Sequence, residues 1–213
     1  MDTPEKTEGK LPGLILAAGN SSRMGHCKLI LPVRGKPLVE HALCAARGGG
    51  LEPILLIVGP QSSQEILKLG RKWAVAKQLG ICTADLANLG QAESLKAGLR
   101  AMLEICPHTP GIMVLLGDQP LINPALVEAL TRRFFELESR GAQMCVAPAF
   151  LGQRGNPVIL HRAVFPDVLN LQGDAGARSL LAGPGLDLLS CQDDACLMDI
   201  DTPQAYKRLS KRL

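Results

Sequence analysis

The sequence predicts an α/β fold: a single-domain, Rossmann-like three-layer sandwich around a mostly parallel, mixed sheet. Three observations point there. Compact apolar runs alternate with amphipathic segments along most of the chain, the order expected when strands and covering helices alternate around a parallel sheet. The run GIMVLLGD shows no period-two alternation, as expected of a strand buried on both faces. A hairpin-like stretch near residue 150 adds antiparallel pairing to the second half.

Taken in order, LPGLILAAG reads as a strand ending in a turn, and PLVEHALCAARGGG as a helix with a glycine stop. EPILLIVGP is a second strand, closed by Gly-Pro. SSQEILKLGRKWAVAKQLG reads as a helix of imperfect period that runs to Gly80. QAESLKAGLRAMLEI is a helix because Leu95, Leu99, Met102 and Leu103 recur on one face. After the buried strand GIMVLLGD comes the helix NPALVEALTRRFFELESRG, with Asn123 as N-cap, Pro124 at the first position and Gly141 as the stop. AQMCVAPAFLGQRGNPVILH reads as two strands joined by a glycine-containing turn. RAVFPDVLNL and GARSLLAG read as helical, and LDLLSCQ and ACLMDID as short strands. TPQAYKRLSKRL is a closing helix started by Pro203. No repeat or long linker divides the chain, so one domain is expected over residues 11–213 behind a polar tail, 1–10.

Composition narrows the function. With 46% hydrophobic and 20% charged residues the chain has ample material for a core. MDTPEKTEGK lacks the apolar stretch of a signal peptide, and no apolar run approaches the length of a bilayer span. No membrane association and a cytoplasmic location are therefore expected. Seven cysteines, scattered and without a C-x-x-C pair, do not read as a disulfide framework or a zinc site. Most read as small core residues; Cys27, beside Lys28, is also placed as a reactive thiol would be. The four histidines form no metal-binding pair. A net charge of +3 and six aromatic residues argue against a nucleic-acid partner, while leaving a small polyanion open.

The polyanion reading gains support from Leu16 to Lys28, LAAGNSSRMGHCK. A strand followed by a glycine turn and a helix presents unpaired N–H groups and the positive end of a helix dipole, which suits an anion. Gly19 and Gly25 allow a ligand to approach the backbone, and Ser21 and Ser22 add hydroxyl donors. Arg23 can fork onto two phosphate oxygens, and Lys28 adds a point charge. Two cations beside a glycine nest suit a triphosphate. The segment matches neither G-x-G-x-x-G nor the Walker pattern, and the alternative is an ordinary turn with solvated charges.

Asp118 follows the strand of GIMVLLGDQP, where open α/β sheets bind ligands, and a carboxylate beside phosphates is a natural Mg²⁺ ligand. Asp199 and Asp201 in DIDTPQAY have period-two spacing that would point both to one side of a strand; Asp201 could equally cap the helix begun at Thr202. Gly90, Gln91 and Ser94 open the helix QAESLKAGLRAMLEI, with Gln91 able to read a base and Ser94 able either to contact a nucleotide or to bond its own helix. Arg154-Gly-Asn-Pro-Val158 and Gly173-Asp-Ala-Gly-Ala-Arg178 are turns or helix starts on the residues alone.

LAAGNSSRMGHCKLIL resembles the signature of the molybdenum-cofactor nucleotidyltransferases, within the broader glycosyltransferase-A-like nucleotidyltransferases: L-A-[AG]-G-x-S-x-R-M-G-x-x-K-x-x-L, matched from Leu16 to Leu31. The resemblance implies a loop wrapped around a nucleoside triphosphate: Leu16, Ala17, Ala18, Gly19, Ser21, Ser22, Arg23, Gly25 and Lys28. Arg23 would lie on the outer phosphates, Lys28 nearer the α-phosphate and the backbone of Ala17 to Gly19 near the base. It also implies Gly90 and Ser94 over base and ribose, Asp118 and Asp201 as metal ligands with Asp199 as a weaker neighbour, and Asn156 and Arg178 around the acceptor. The N-terminal half would then hold the nucleotide and the C-terminal half the acceptor.

The implied reaction carries CMP from CTP to the terminal phosphate of molybdopterin or the molybdenum cofactor, with Mg²⁺ as cofactor and Mn²⁺ as a conceivable substitute. A molybdenum hydroxylase would receive the product. CTP is favoured over GTP because guanylyltransferases resembling this chain usually carry L-A-G-G where it has Leu16-Ala-Ala-Gly19, and because Leu116 to Pro120 follows L-x-G-D-[MQ]-P. The alternatives are a guanylyltransferase or another small-molecule nucleotidyltransferase, and a non-catalytic chaperone that carries the cofactor. An oxidoreductase ranks behind these, since the dinucleotide fingerprint is absent.

Overall fold

In the computed structural model residues 10–19, 27–60, 62, 64–74, 79–173, 177–181 and 184–212 are described, the side chains of 178, 179 and 210–212 excepted. The elements in chain order are β1 (Gly13–Leu16), β2 (Pro32–Val33), β3 (Lys36–Pro37), α1 (Leu38–Gly48), β4 (Ile54–Val58), α2 (Gln64–Ala74), β5 (Leu79–Thr83) and α3 (Gln91–Ile105). There follow β6 (Gly111–Leu116), α4 (Pro124–Glu138), β7 (Cys145–Phe150), β8 (Gln153–Arg154), β9 (Val158–His161), α5 (Phe165–Leu169), β10 (Leu186–Ser190) and α6 (Pro203–Arg212).

The main sheet has the order β10-β7-β9-β6-β1-β4-β5, with β8 paired to β7. β1 lies in parallel register between β4 and β6, and β9 is antiparallel to both β6 and β7. The sheet is thus mostly parallel and mixed, as the sequence predicts. Its apolar strands alternate between two cores. Ile15, Leu56, Met113 and Leu115 face α1, α2 and α4. Leu14, Leu55, Ile57, Ile112 and Val114 face α3 and α5. Each fully buried Leu or Ile contributes about 1.5–3 kcal/mol, so both layers are held by apolar burial. Gly98 lets α3 press onto the sheet: a Cβ there would meet Ile57 Cδ1 at 2.9 Å and Leu14 Cδ1 at 3.1 Å.

Asn123 caps α4 as expected, its side chain accepting from the Leu126 amide at 2.9 Å. Four expectations are corrected. The helix of SSQEILKLGRKWAVAKQLG is described only to Ala74, and Leu79–Thr83 is an edge strand because it completes hydrogen bonds with β4. The stretch 145–161 holds three strands, not two: β7 and β8 form the hairpin, and β9 inserts between β7 and β6. GARSLLAG contains a 3-10 turn at Ala177–Leu181 rather than an α-helix. ACLMDID is not a strand. The Asp193 side chain accepts from the Ala195 amide, the chain makes a 3-10 turn at Ala195–Leu197, and Met198–Asp201 carries no regular structure. No helix among the described residues is long and apolar enough to cross a membrane.

Candidate active site

β1 and β6 run side by side and in the same direction, ending at Leu16 and Leu116. The helices that follow them, α1 and α4, pack on one face of the sheet and α3 on the other, and the crevice lies beyond the two carboxyl ends, where open α/β sheets bind ligands. Two adjoining clefts occupy it. The first, of about 310 Å³, is lined by Ala18, Gly19, Lys28, Gly90, Gln91 and Ser94, among others. The second, of about 410 Å³, is lined by Arg154, Asn156, Asp199, Asp201 and Leu181, among others. Leu16, Gln91, Leu116 and Asp118 belong to both walls.

An ionic junction marks the boundary. Lys28 Nζ donates to Asp118 Oδ2 at 2.7 Å and to Asp201 Oδ1 at 2.5 Å. The lysine and Asp118 side chains are 13% and 18% exposed, whereas Asp201 is 49% exposed and more strongly screened by water. Burial alone would lower the lysine pKa, but Asp118 and then Asp201 outweigh it and hold the ammonium above its ordinary range. Asp199 shows the opposite balance: burial, reinforced by repulsion from Asp201 and Asp118, pushes its carboxyl up.

Lys28 reaches the junction from a 3-10 turn, Lys28–Ile30, anchored by buried Leu29. Among the described residues the first α-helix begins at Leu38, beyond the β2–β3 hairpin, so α1 itself does not follow directly on the glycine loop. Pro32 and Pro37, with positive φ at Arg34 and Gly35, turn the chain there instead. The helix end that does face the first cleft is that of α3, whose N-cap Gly90 has no side-chain cap; its dipole favours an anion.

Backbone hydrogen bonds place the acidic segment. The Asn156 amide donates to Cys196 O at 2.9 Å and the Ile200 amide to Asp118 O at 3.1 Å. Ile200 is buried with Val33, Leu38 and Leu209, and Tyr206 Oη donates to Pro32 O at 2.5 Å, which docks α6 on the β2–β3 hairpin. Thr202 accepts from the Ala205 amide at 3.1 Å and so caps α6, while the Asp201 carboxylate points to Lys28.

The donor set fits a divalent cation. Asp118 Oδ1 is buried without a hydrogen-bond partner among the described residues, and Asp118 and Asp201 converge on one ammonium. A buried carboxylate oxygen without a donor is costly unless a ligand completes it. Among the described residues no three metal-ligating side chains cluster. Two carboxylates plus phosphate oxygens is the sparse protein shell that Mg²⁺ favours.

The structure brings Leu16, Ala18, Gly19, Lys28, Gly90, Gln91, Ser94 and Asp118 together around the first cleft, and Asp201 and Asn156 around the second. Ala17 is not among them: it is buried in the core and its amide donates to Ile57 O at 2.8 Å. Ser21, Ser22, Arg23 and Gly25 lie outside the described residues, as does the Arg178 side chain. Asp199 lines the second cleft although no strand aligns it with Asp201. Asn88 carries no role in the sequence reading, and Arg154 none of its own beyond belonging to the stretch Arg154–Val158 that the resemblance puts around the acceptor pocket. Nothing in the sequence marks Asn88, whereas Arg154, in the stretch Arg154–Val158, is the one cation lining the second cleft among the described residues. Cys27 is half-buried against the core, and all seven cysteines are free thiols.

A family model for the MobA-like NTP transferase domain matches residues 13–191. Purine catabolism protein PucB of Bacillus subtilis is 29% identical over 209 residues, covering 95% of this chain and 97% of that protein. Nicotine blue oxidoreductase of Paenarthrobacter nicotinovorans is 30% identical over 204 residues, with 92% and 95% covered. A probable molybdenum cofactor guanylyltransferase of Thermococcus sibiricus is 29% identical over 126 residues, 58% of this chain and 56% of that protein. The crystal structure of Rv0371c from Mycobacterium tuberculosis H37Rv superposes with a TM-score of 0.76 at 25% identity, covering 96% of this chain and 100% of that one. Its complex with manganese superposes with a TM-score of 0.68 at 24% identity, again covering 96% and 100%.

Proposed function

The chain belongs to the MobA-like NTP transferase family, and from that premise we propose that it transfers CMP from CTP to the terminal phosphate of the molybdenum cofactor. A phosphate oxygen of the acceptor attacks the α-phosphorus, the bond from that phosphorus to the bridging oxygen breaks, and pyrophosphate leaves. The observation that carries the reading is the junction of Lys28 with Asp118 and Asp201, placed where two clefts of ligand size meet.

The first cleft takes the nucleotide. The amino-terminal end of α3 and Lys28 provide positive potential there, and Gln91 and Ser94 provide groups for base and ribose. The second takes the acceptor, with Arg154 and Asn156 on its wall. No general base is needed, because a phosphate monoester with a second pKa of about 6 is already ionised at neutral pH. The chain's task is to bring two polyanions together. At ~4 Å and an effective dielectric of ~20, each like-charge pair repels by about 4 kcal/mol. Lys28 offsets part of this, and the outer phosphates would fall to Arg23. Asp118 and Asp201 would hold the divalent ion, which when bound supplies charge neutralisation at the phosphates; Mg²⁺ suits this site, with Mn²⁺ supported by the manganese complex of the structural relative.

Ala18, on the first cleft's wall, favours the smaller base by a methyl group, a modest discrimination. The relative named as a guanylyltransferase supports GTP as the second reading. The test is one assay with purified protein, molybdenum cofactor, Mg²⁺ and each triphosphate in turn, the dinucleotide product identified by mass. CTP-dependent product with pyrophosphate release is expected. GTP-only product would replace the base, and binding of the cofactor without turnover would favour a chaperone. The relative named as an oxidoreductase adds one arm: oxidation of NAD(P)H without pyrophosphate release would move the activity to another class.

A further inference from the structure

The proposed division into nucleotide and acceptor clefts assigns no role to Lys96, which lies in the helix α3 that borders both. Its side chain is only 12% exposed, and its ammonium is paired with Glu93 at 2.5 Å. The same Nζ donates to the backbone carbonyl of Leu171 at 2.9 Å. That carbonyl is 75 residues away in sequence and begins the segment whose 3-10 turn puts Ala177 and Leu181 on the wall of the second cleft. A second bond runs beside it: the Ala92 amide, in the uncapped first turn of α3, donates to Gly173 O at 3.2 Å. At its far end the segment is held again, with Arg154 Nη1 donating to Leu181 O at 2.6 Å. The acceptor wall is therefore suspended between the start of α3 and Arg154.

A charge so far from water needs its partners, because a buried ammonium with an unfilled donor is strongly unfavourable. Glu93 neutralises Lys96 and leaves its remaining donors directional, and one of them is spent on a loop carbonyl rather than on α3 itself. The helix that places Gln91 and Ser94 in the nucleotide cleft thus also sets the position of the acceptor wall.

We propose that Lys96 is a positioning residue for the acceptor: through Leu171 it fixes Leu171–Gly173 against α3, and with them the approach to the Ala177–Leu181 turn, without touching either substrate. The inference rests on the cleft assignment above. Its consequence is a split between the two ligands. Loss of one hydrogen bond from a charged donor corresponds to roughly tenfold or more, so Lys96→Met should raise the acceptor KM about tenfold while nucleotide affinity, measured without acceptor, stays within about twofold. Lys96→Arg, which keeps charge and donors, should recover most of the loss.

The test pairs these constants with backbone hydrogen exchange, which needs no turnover. In Lys96→Met, peptides covering 169–173 should exchange about tenfold faster, while those from β1, β4 and β6 stay unchanged. Unchanged exchange at 169–173 overturns the clamp. Faster exchange with an unaltered acceptor KM, or with nucleotide affinity lost in equal measure, overturns its role in acceptor positioning. If the unsubstituted chain turned over no acceptor, the cleft assignment and the positioning role would fall together, while the exchange result would still decide whether the clamp exists.

Discussion

Asp118 combines two properties that pull apart. Its Oδ2 is paired with Lys28 at 2.7 Å, whereas its buried Oδ1 has no partner among the described residues. Sites built for a ligand store this kind of unsatisfied polarity, and removing it separates stability from activity. Asp118→Asn should therefore leave the ligand-free melting free energy within about 1 kcal/mol of the parent, since the amide relieves part of the acceptor imbalance. Nucleotidyl transfer should fall about 100-fold or more. Thermal melts and initial rates on the same preparation check this; a large loss of stability with modest loss of rate would make Asp118 a structural brace. Lys28 makes the complementary case. Lys28→Met leaves Asp118 and Asp201 facing each other without their ammonium, so Mn²⁺ measured by titration without nucleotide should bind several-fold tighter while the triphosphate binds more weakly.

At the scale of elements, the acidic segment is aimed by packing and backbone bonds rather than by regular structure. Gly155 is where that packing is tightest: a Cβ there would lie 2.4 Å from Cys196 O, a backbone atom that cannot rotate away. Gly155→Ala should displace Cys196 and the Asp199–Asp201 stretch behind it, destabilising by about 1–3 kcal/mol and weakening acceptor use; a melting curve and an acceptor titration read both effects. β10 is fastened differently. Arg133 in α4 holds Asp187 through two hydrogen bonds of 2.8 Å. The hydrogen bonds from Arg133 pull the Asp187 carboxyl below its ordinary 3.8. A carboxyl depressed by folding contributes stability that is present above the unfolded value and lost as pH falls through the folded one. Acid melts should thus show an Arg133-dependent loss of stability beginning below about pH 5. Arg133→Met should flatten that part of the profile while leaving the alkaline side alone.

For the molecule as a whole, ligand binding should read out as global stability, because the crevice is formed by the ends of central strands that bind nothing unless folded. At a CTP–Mg²⁺ concentration 100 times its dissociation constant, stabilisation of about 2.7 kcal/mol is expected, which for a chain of this size is a rise of roughly 5–11 °C in Tm. An equal rise with GTP–Mg²⁺ and none with CTP–Mg²⁺ would reverse the base assignment. Much of this architecture was legible beforehand. The uninterrupted apolar run of β6 announced a strand covered on both faces, and the Asn123-Pro124 pair announced the start of α4, because those signals are local. β5 was missed for the converse reason: LGICT becomes a strand through its pairing with β4, a partner more than twenty residues upstream in the chain. ACLMDID failed as a strand because its amides and carbonyls are taken singly by Asn156 and Asp118 instead of by a ladder.

By itself the sequence determined the layer order, the apolar faces and the chemical types gathered near Leu16, Asp118 and Asp201, since periodicity, caps and the long opening signature are written in neighbouring residues. Only the tertiary structure decided that Lys28 bridges two carboxylates 90 and 173 residues away, that Ala17 turns into the core, and that Lys96 carries the loop at Leu171. Those facts depend on which strand ends meet and which buried charges find one another. Such distances are set by packing the whole chain, and no short stretch of it encodes them.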